Sequence, residues 1–259
     1  MNIEQPIGFF DSGVGGTSIW KEVHALLPLE STIYLADSKN APYGQKSKDE
    51  IIALSKKNTE FLLNQNAKLI IVACNTATTN AIKELRAKYD VPFIGIEPAI
   101  KPAALHSQTQ KIGILATKGT INSELFHQSL QQYQNVTFVE QIGHGLVELI
   151  ETGKINSPEM HQLLQSYLQP MVAANIDYLV LGCSHYPYLI PQIKALVPSH
   201  VKIIDSGEAV ARQTQKVIQE QCGFHEANLQ ASQQFYTNID PKVLQTFVGQ
   251  NYPVAQIDF

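Results

Sequence analysis

From Ile7 to Ile204 the chain repeats one arrangement: a short apolar, β-branched run, a helix-length amphipathic segment, then another apolar run. Two strands can lie parallel only if a crossover long enough for a helix joins them. The alternation therefore predicts βαβ units, with parallel sheets covered by helices. The predicted strands are Ile7 to Phe10, Thr32 to Ala36, Lys68 to Ala73, Phe93 to Ile96, Lys111 to Ala116, Val136 to Val139, Tyr178 to Gly182 and Val201 to Ile204. Helix starts are marked as well. Ser47 with Glu50 forms a capping-box pattern ahead of Ile51, Leu54, Phe61 and Leu62, and Ser157-Pro158 precedes Met160, Leu163, Leu164, Tyr167, Leu168 and Met171 at helical spacing.

The pattern occurs twice. Ile7-Gly8-Phe9-Phe10-Asp11-Ser12-Gly13 is similar to Ile112-Gly113-Ile114-Leu115-Ala116-Thr117-Lys118, and Asp11 precedes Cys74 by nearly the span that separates Ala116 from Cys183. Val91-Pro92 leads into Phe93 to Ile96 as Val197-Pro198 leads into Val201 to Ile204. The expected fold is α/β: two similar parallel-sheet domains related by internal pseudo-symmetry, with the active site in the cleft between them. At 259 residues the chain is long enough for two domains of roughly 100 to 150 residues each. Asp205-Ser206-Gly207-Glu208 starts a helix through Val210, Val217 and Ile218, and this helix and the tail to Phe259 return to the first half. The first domain is thus expected to be discontinuous, residues 1–97 plus 207–259, and the second to span 98–206.

A formal net charge of −4 with no lysine/arginine cluster argues against nucleic-acid partners. The first thirty residues lack the pattern of a signal peptide, and no apolar run approaches the roughly 20 residues of a membrane span, so a soluble cytoplasmic protein is expected. The three cysteines, Cys74, Cys183 and Cys222, are too few and scattered for a disulfide framework and are read as reduced thiols.

Two of them sit in matching surroundings. Ile70-Ile71-Val72-Ala73-Cys74-Asn75-Thr76 and Leu179-Val180-Leu181-Gly182-Cys183-Ser184-His185 are each an apolar run ending in a cysteine followed by polar, cap-forming residues. A thiol at the end of a buried strand, ahead of a helix N-terminus, is placed to become a thiolate. Two such thiols, one in each half, suit chemistry that needs a sulfur on either side of one substrate atom, which is the pattern of a racemase without a cofactor. In parallel α/β sheets the ligand site lies beyond the carboxyl ends of the strands, where both cysteines and the Asp11 loop fall. Cys222, in Gln-Cys-Gly at a helix end, reads as structural.

The loop Asp11-Ser12-Gly13-Val14-Gly15-Gly16-Thr17-Ser18 fails both phosphate templates, having no Gly-Lys-Ser/Thr and carrying Ser18 where the dinucleotide fingerprint needs a third glycine. Its glycines would let backbone N–H groups approach a small carboxylate. Asp11 suits a base or an orienter of a substrate ammonium, with a turn-and-cap role as the alternative. His185, two residues after Cys183, could favour the thiolate and assist proton transfer, or be a satisfied loop histidine. Ala41-Pro42-Tyr43-Gly44 is a turn by composition. No Cys-x-x-Cys or His-x-x-x-His spacing is present, so neither metal binding nor disulfide exchange is expected.

Taken together, Phe10-Asp11-Ser12-Gly13-Val14-Gly15-Gly16, Pro42-Tyr43-Gly44, Ala73-Cys74-Asn75-Thr76-Ala77-Thr78 and Gly182-Cys183-Ser184-His185-Tyr186-Pro187 resemble the glutamate racemase family, within the aspartate/glutamate racemase superfamily. The resemblance covers essentially the whole chain. It implies cofactor-independent interconversion of L- and D-glutamate, supplying D-glutamate for peptidoglycan. It also implies that Cys74 and Cys183 are an acid/base pair, one thiolate removing the α-proton while the opposite thiol delivers one, with Asp11 and His185 supporting them. Asp11, Ser12, Pro42, Tyr43, Gly44, Asn75, Thr76, Ser184 and His185 would hold the amino acid, joined by Thr117 from the second half.

The sequence departs from the family pattern at two places. Ser184 stands where the family usually has threonine and keeps the hydroxyl. The segment Gln141 to Glu151 lacks the cysteine and proline that usually precede a further supporting carboxylate; Glu151 is the better match, Glu148 the alternative, and a solvated helix-face glutamate remains open. Competing readings are a superfamily racemase or isomerase acting on aspartate, hydantoins or maleate, and a non-catalytic inhibitor of DNA gyrase. Pro42-Tyr43-Gly44 and the complete Ala73 to Thr78 motif favour glutamate, and the intact twin cysteines favour catalysis. Members of the family differ in oligomeric state and in activation by a cell-wall precursor, so a homodimer and regulation by a peptidoglycan precursor stay open. With no long extension before the first strand, precursor activation is disfavoured.

Overall fold

The computed structural model describes residues 3–224 and 231–259. Among the described residues ten strands form two parallel sheets. They are Ile7–Asp11 (β1), Thr32–Ala36 (β2), Leu69–Val72 (β3), Phe93–Gly95 (β4), Lys111–Ala116 (β5), Thr137–Ile142 (β6), Tyr178–Gly182 (β7), Lys202–Ile204 (β8), Gln233–Thr237 (β9) and Val254–Gln256 (β10). One sheet has the order β10-β9-β2-β1-β3-β4, the other β6-β5-β7-β8. The run β2-β1-β3-β4 in the first has the same permutation as the whole of the second. Central strands such as β3, Leu-Ile-Ile-Val, are buried along their length, because helices on both faces leave no polar side for alternation to mark.

The predicted helix starts form as the side chains dictate. Ser47 and Glu50 make a reciprocal capping box at the head of helix Lys48–Asn64. Ser157 accepts from the Met160 N–H at 3.2 Å, with Pro158 in the first turn, and helix Pro158–Ala173 buries Met160, Leu164, Leu168 and Met171 against the second sheet. β6 starts one residue later than predicted and runs three further, to Ile142.

The tail beyond the second sheet returns to the first. Helix Gly207–Val217 packs on helix Thr17–Leu26, and β9 pairs with β2, Phe235 lying opposite Tyr34, with β10 outside it. One apolar cluster runs from Phe9 and Ile71 of the first sheet through Val14 and Val210 to Ile150, Leu164 and Leu181 of the second, so the two sheets share part of their core. Among the described residues no helix is long and apolar enough to cross a membrane.

In each sheet the strand order reverses beside the central strand, between β1 and β3 and between β5 and β7. The crevice for a ligand lies beyond the carboxyl ends of the strands at such a reversal. Register aligns those ends: Asp11 lies opposite Ala36, and Ala116 opposite Gly182, so the Asp11 loop, Cys74, Thr117 and Cys183 all emerge at reversal points.

Candidate active site

The two crevices face one another. A narrow cavity is lined by Ser12, Pro42, Tyr43, Gly44, Cys74, Asn75, Thr76 and Ser184, together with Thr117, Val147, Cys183 and His185. Asp11 lies beneath it, fully buried, and Glu151 stands behind His185. Every residue expected at the site from the sequence is thus at the cavity or in contact with a residue that lines it. Val147 is an addition, an apolar wall on helix Leu146–Glu151 that its sequence marks only as core.

Cys74 follows β3 and caps helix Asn75–Lys88, its sulfur accepting from the Ala77 N–H at 3.4 Å. The thiol points to Ser12 Oγ at 3.8 Å. Burial pushes this thiol well above its ordinary range, the neighbouring Asp11 carboxylate adds to the rise, and the Ala77 N–H opposes it without prevailing. The helix terminus therefore does not lower the Cys74 pKa in the way the sequence led one to expect. Here desolvation outweighs the few N–H groups at a helix end.

Cys183 departs from expectation in another way. No α-helix begins on it: Ser184 and His185 lead into a 3₁₀ turn, Tyr186–Leu189, and the α-helix starts only at Ile190. Pro187 and Pro191 restrict the local backbone and withdraw two N–H donors. In place of a helix N-terminus, Cys183 has a histidine, with His185 Nδ1 3.7 Å from its sulfur.

The far side of that ring meets Glu151, Nε2 to Oε1 at 2.5 Å. Burial pulls the His185 pKa down, but hydrogen bonds to Cys183 and Glu151 and the charge of Asp11 outweigh it, so His185 sits well above the ordinary histidine value. The two sulfurs thus have unlike neighbours, a carboxylate beside Cys74 and a stabilised imidazolium beside Cys183.

Asp11 ties the halves together. Its Oδ2 accepts from the Gly16 N–H at 2.8 Å and its Oδ1 from Ser184 Oγ at 3.3 Å. Burial lifts its pKa, opposed by His185 and the Gly16 N–H. The hydroxyl kept at Ser184 is thus used on Asp11. Two glycines of the same loop permit close approach across the cleft: a Cβ on Gly13 would collide with the Glu151 carboxylate, and one on Gly15 with the His185 ring.

Glu151 and Glu148 are separated by geometry. Glu151 Oε1 also accepts from the Val14 N–H at 2.7 Å, and Oε2 accepts from Ser38 Oγ at 2.9 Å, whereas Glu148 is at the surface accepting from Gln45. The solvated-face reading of Glu151 is therefore set aside. At the other wall Thr76 and Thr117 hydroxyls meet at 2.8 Å, bridging the sheets, and Thr117 caps the short helix Lys118–Ile121. Tyr43 presents its ring, since its hydroxyl donates to Asp37 at 2.5 Å and accepts from Asn58 at 3.1 Å. Cys222 lies away from the site with its sulfur 3.5 Å from the Lys68 carbonyl. Among the described residues no group of three or more histidine, cysteine, aspartate or glutamate side chains is arranged to hold a metal ion.

The profile of the Asp/Glu/hydantoin racemase family matches residues 17–214. A glutamate racemase from Pseudomonas putida is 44% identical over 241 residues, 92% of this chain and 91% of that protein. Among solved structures, a glutamate racemase isoform from Bacillus anthracis superposes with a TM-score of 0.88 at 30% identity, covering 99% of this chain and 98% of that one. The Escherichia coli glutamate racemase, solved with L-glutamate and the activator UDP-MurNAc-Ala, superposes with a TM-score of 0.85 at 29% identity over 98% of each chain.

Proposed function

The chain belongs to the Asp/Glu/hydantoin racemase family, with the glutamate racemases, and from that premise we propose that it interconverts L- and D-glutamate through the thiols of Cys74 and Cys183, without a cofactor. The observation that carries the reading is that both sulfurs line one cavity, each after the corresponding strand of two like-ordered sheets. The two domains are residues 1–97 with 207–259 and residues 98–206, and the amino acid binds in the cleft between them.

In this mechanism one sulfur, as thiolate, takes the α-proton from one face of Cα and becomes a thiol. The opposite thiol gives its proton to the other face and becomes a thiolate. Atoms and charge balance, and the two sulfurs exchange roles with each turnover, so the enzyme that has made one enantiomer is set for the other. The unlike neighbours suit this alternation. His185 Nδ1, 3.7 Å from the Cys183 sulfur, is placed to exchange a proton with it, and Glu151 holds the ring in place. Asp11, beside Cys74, can pair with the substrate ammonium, whose positive charge favours loss of the α-proton. Negative charge that develops on the substrate carboxylate is met by donors fixed around the cavity, Ser12, Asn75, Thr76 and Thr117.

Glutamate is favoured as substrate by the identity to glutamate racemases over most of the chain. The physiological role is supply of D-glutamate for peptidoglycan from the cytoplasm. The E. coli racemase was solved with the activator UDP-MurNAc-Ala, which supports testing that nucleotide as a regulator here. The test of substrate is polarimetry of purified protein with each enantiomer of glutamate and of aspartate, with and without that nucleotide. Glutamate should racemise from both sides and aspartate should not; inversion of aspartate in preference to glutamate would overturn the assignment.

A further inference from the structure

Glu151 belongs to the second sheet's side of the cleft, yet two of its three hydrogen-bond partners belong to the first. Val14 lies in the loop after β1, and Ser38 opens the 3₁₀ turn Ser38–Asn40 just after β2. His185, the third partner, shares Glu151's side. The cavity is walled from both sheets, and the Glu151 carboxylate is bonded to the first sheet's side at Val14 and Ser38.

We propose that Ser38 is a positioning residue that fixes Glu151 against His185, so that a hydroxyl from the first sheet's side completes the acid–base arrangement beside Cys183. This inference rests on the racemase reading above and extends it to a residue outside the substrate contacts. Two details support it. Asp37, fully buried, holds the start of the turn by accepting from Asn40 Nδ2 at 2.8 Å, Asn238 Nδ2 at 2.5 Å and Tyr43 Oη at 2.5 Å, so Ser38 is presented on a fixed support. With Val14 and His185 on Oε1 and Ser38 on Oε2, the carboxylate is held at both oxygens and its plane is set relative to the imidazole.

The charged and titratable groups around this pair are few. His185 is faced by Cys183 on its own loop, by Glu151 from helix Leu146–Glu151 and by Asp11 from β1. Glu151 is faced in turn by His185, Asp11 and the Tyr34 phenol of β2. Loosening Glu151 therefore removes support from the imidazolium, and His185 loses its proton at lower pH.

The test compares wild type, Ser38→Ala and Ser38→Thr. In Ser38→Ala, kcat/KM should fall about 10-fold, the size of one lost hydrogen bond to a charged group. The fall must be equal in both directions, because the enantiomers are isoenergetic. The alkaline limb of the pH profile should move to lower pH, the melting temperature should fall near neutral pH by an amount that narrows as the solution becomes alkaline, and Ser38→Thr should restore these readouts. A ¹⁵N-histidine NMR titration, with the His185 signal assigned from His185→Asn, reads the same effect without turnover. Equal His185 titrations in wild type and Ser38→Ala, or an activity loss with the alkaline limb unmoved, would overturn the proposal. A wild type that leaves glutamate untouched while Ser38→Ala still lowers the His185 titration would sink the substrate assignment and leave this role of Ser38 standing.

Discussion

At the scale of single residues, the chemistry turns on what surrounds each sulfur. Contacts that exist only in the folded protein raise the His185 pKa above the ordinary value of 6.5. The sign follows from linkage: the stabilisation is fully present below that value and is lost as pH rises through the raised one. Glu151→Gln keeps an acceptor beside the ring and removes its charge. The variant should melt below wild type near neutral pH, with the gap narrowing as the solution becomes alkaline, and kcat/KM should fall about 10- to 100-fold. A melting difference independent of pH would mean that Glu151 contributes packing alone. Cys74 and Cys183 were legible from their matching surroundings, and Glu151 as one of two candidates. Ser38 was not, because its hydroxyl is read only by a carboxylate 113 positions along the chain, and a serine at a turn carries no mark of such a partner.

At the scale of elements, the strands and helices followed from local rules where one face or both faces are buried. β3 and β7 are continuous apolar runs, and helix Lys48–Asn64 starts at its capping box. Ser47→Ala should cost about 1 kcal/mol of unfolding free energy in denaturant titration, with kcat/KM unchanged, since the box lies outside the cavity. The strand β9 left no signal because Gln233, Gln234 and Thr237 are polar and Phe235 alone supplies a large buried side chain. The turn after Cys183 was misread because Ser184 and His185 look like cap residues, whereas Pro187 and Pro191 delay the helix. The Asp11 loop is tuned for approach across the cleft: Gly15→Ala should abolish most turnover by displacing His185 while leaving far-UV circular dichroism unaltered. Retained wild-type activity in that variant would mean that the His185 ring moves freely.

At the scale of the whole molecule, a buried clamp ties the tail to the first sheet. Lys68 Nζ bonds the Ile3 carbonyl at 2.7 Å and the Gly223 carbonyl at 3.2 Å, and pairs with Glu30 at 2.8 Å. Lys68→Met removes all three of these contacts at once and should lower the urea midpoint of unfolding with the cavity left intact. The helix start at Asp205 to Glu208 was legible in the sequence, but the tail's strand pairings with the first sheet depend on contacts that no local pattern encodes. The internal repeat was visible as matching strand-and-cysteine segments, and two like-ordered sheets with facing crevices follow from it. That geometry sets one sulfur in each half on a common cavity, and the account stands or falls on both sulfurs acting on one carbon. The most direct measurement is incubation of wild type, Cys74→Ser and Cys183→Ser with each glutamate enantiomer in D₂O, following chirality and α-deuterium together. The account predicts that wild type inverts both enantiomers with deuterium entering at Cα and that each serine variant loses inversion. Inversion without deuterium, or wild-type inversion by either variant, would contradict it.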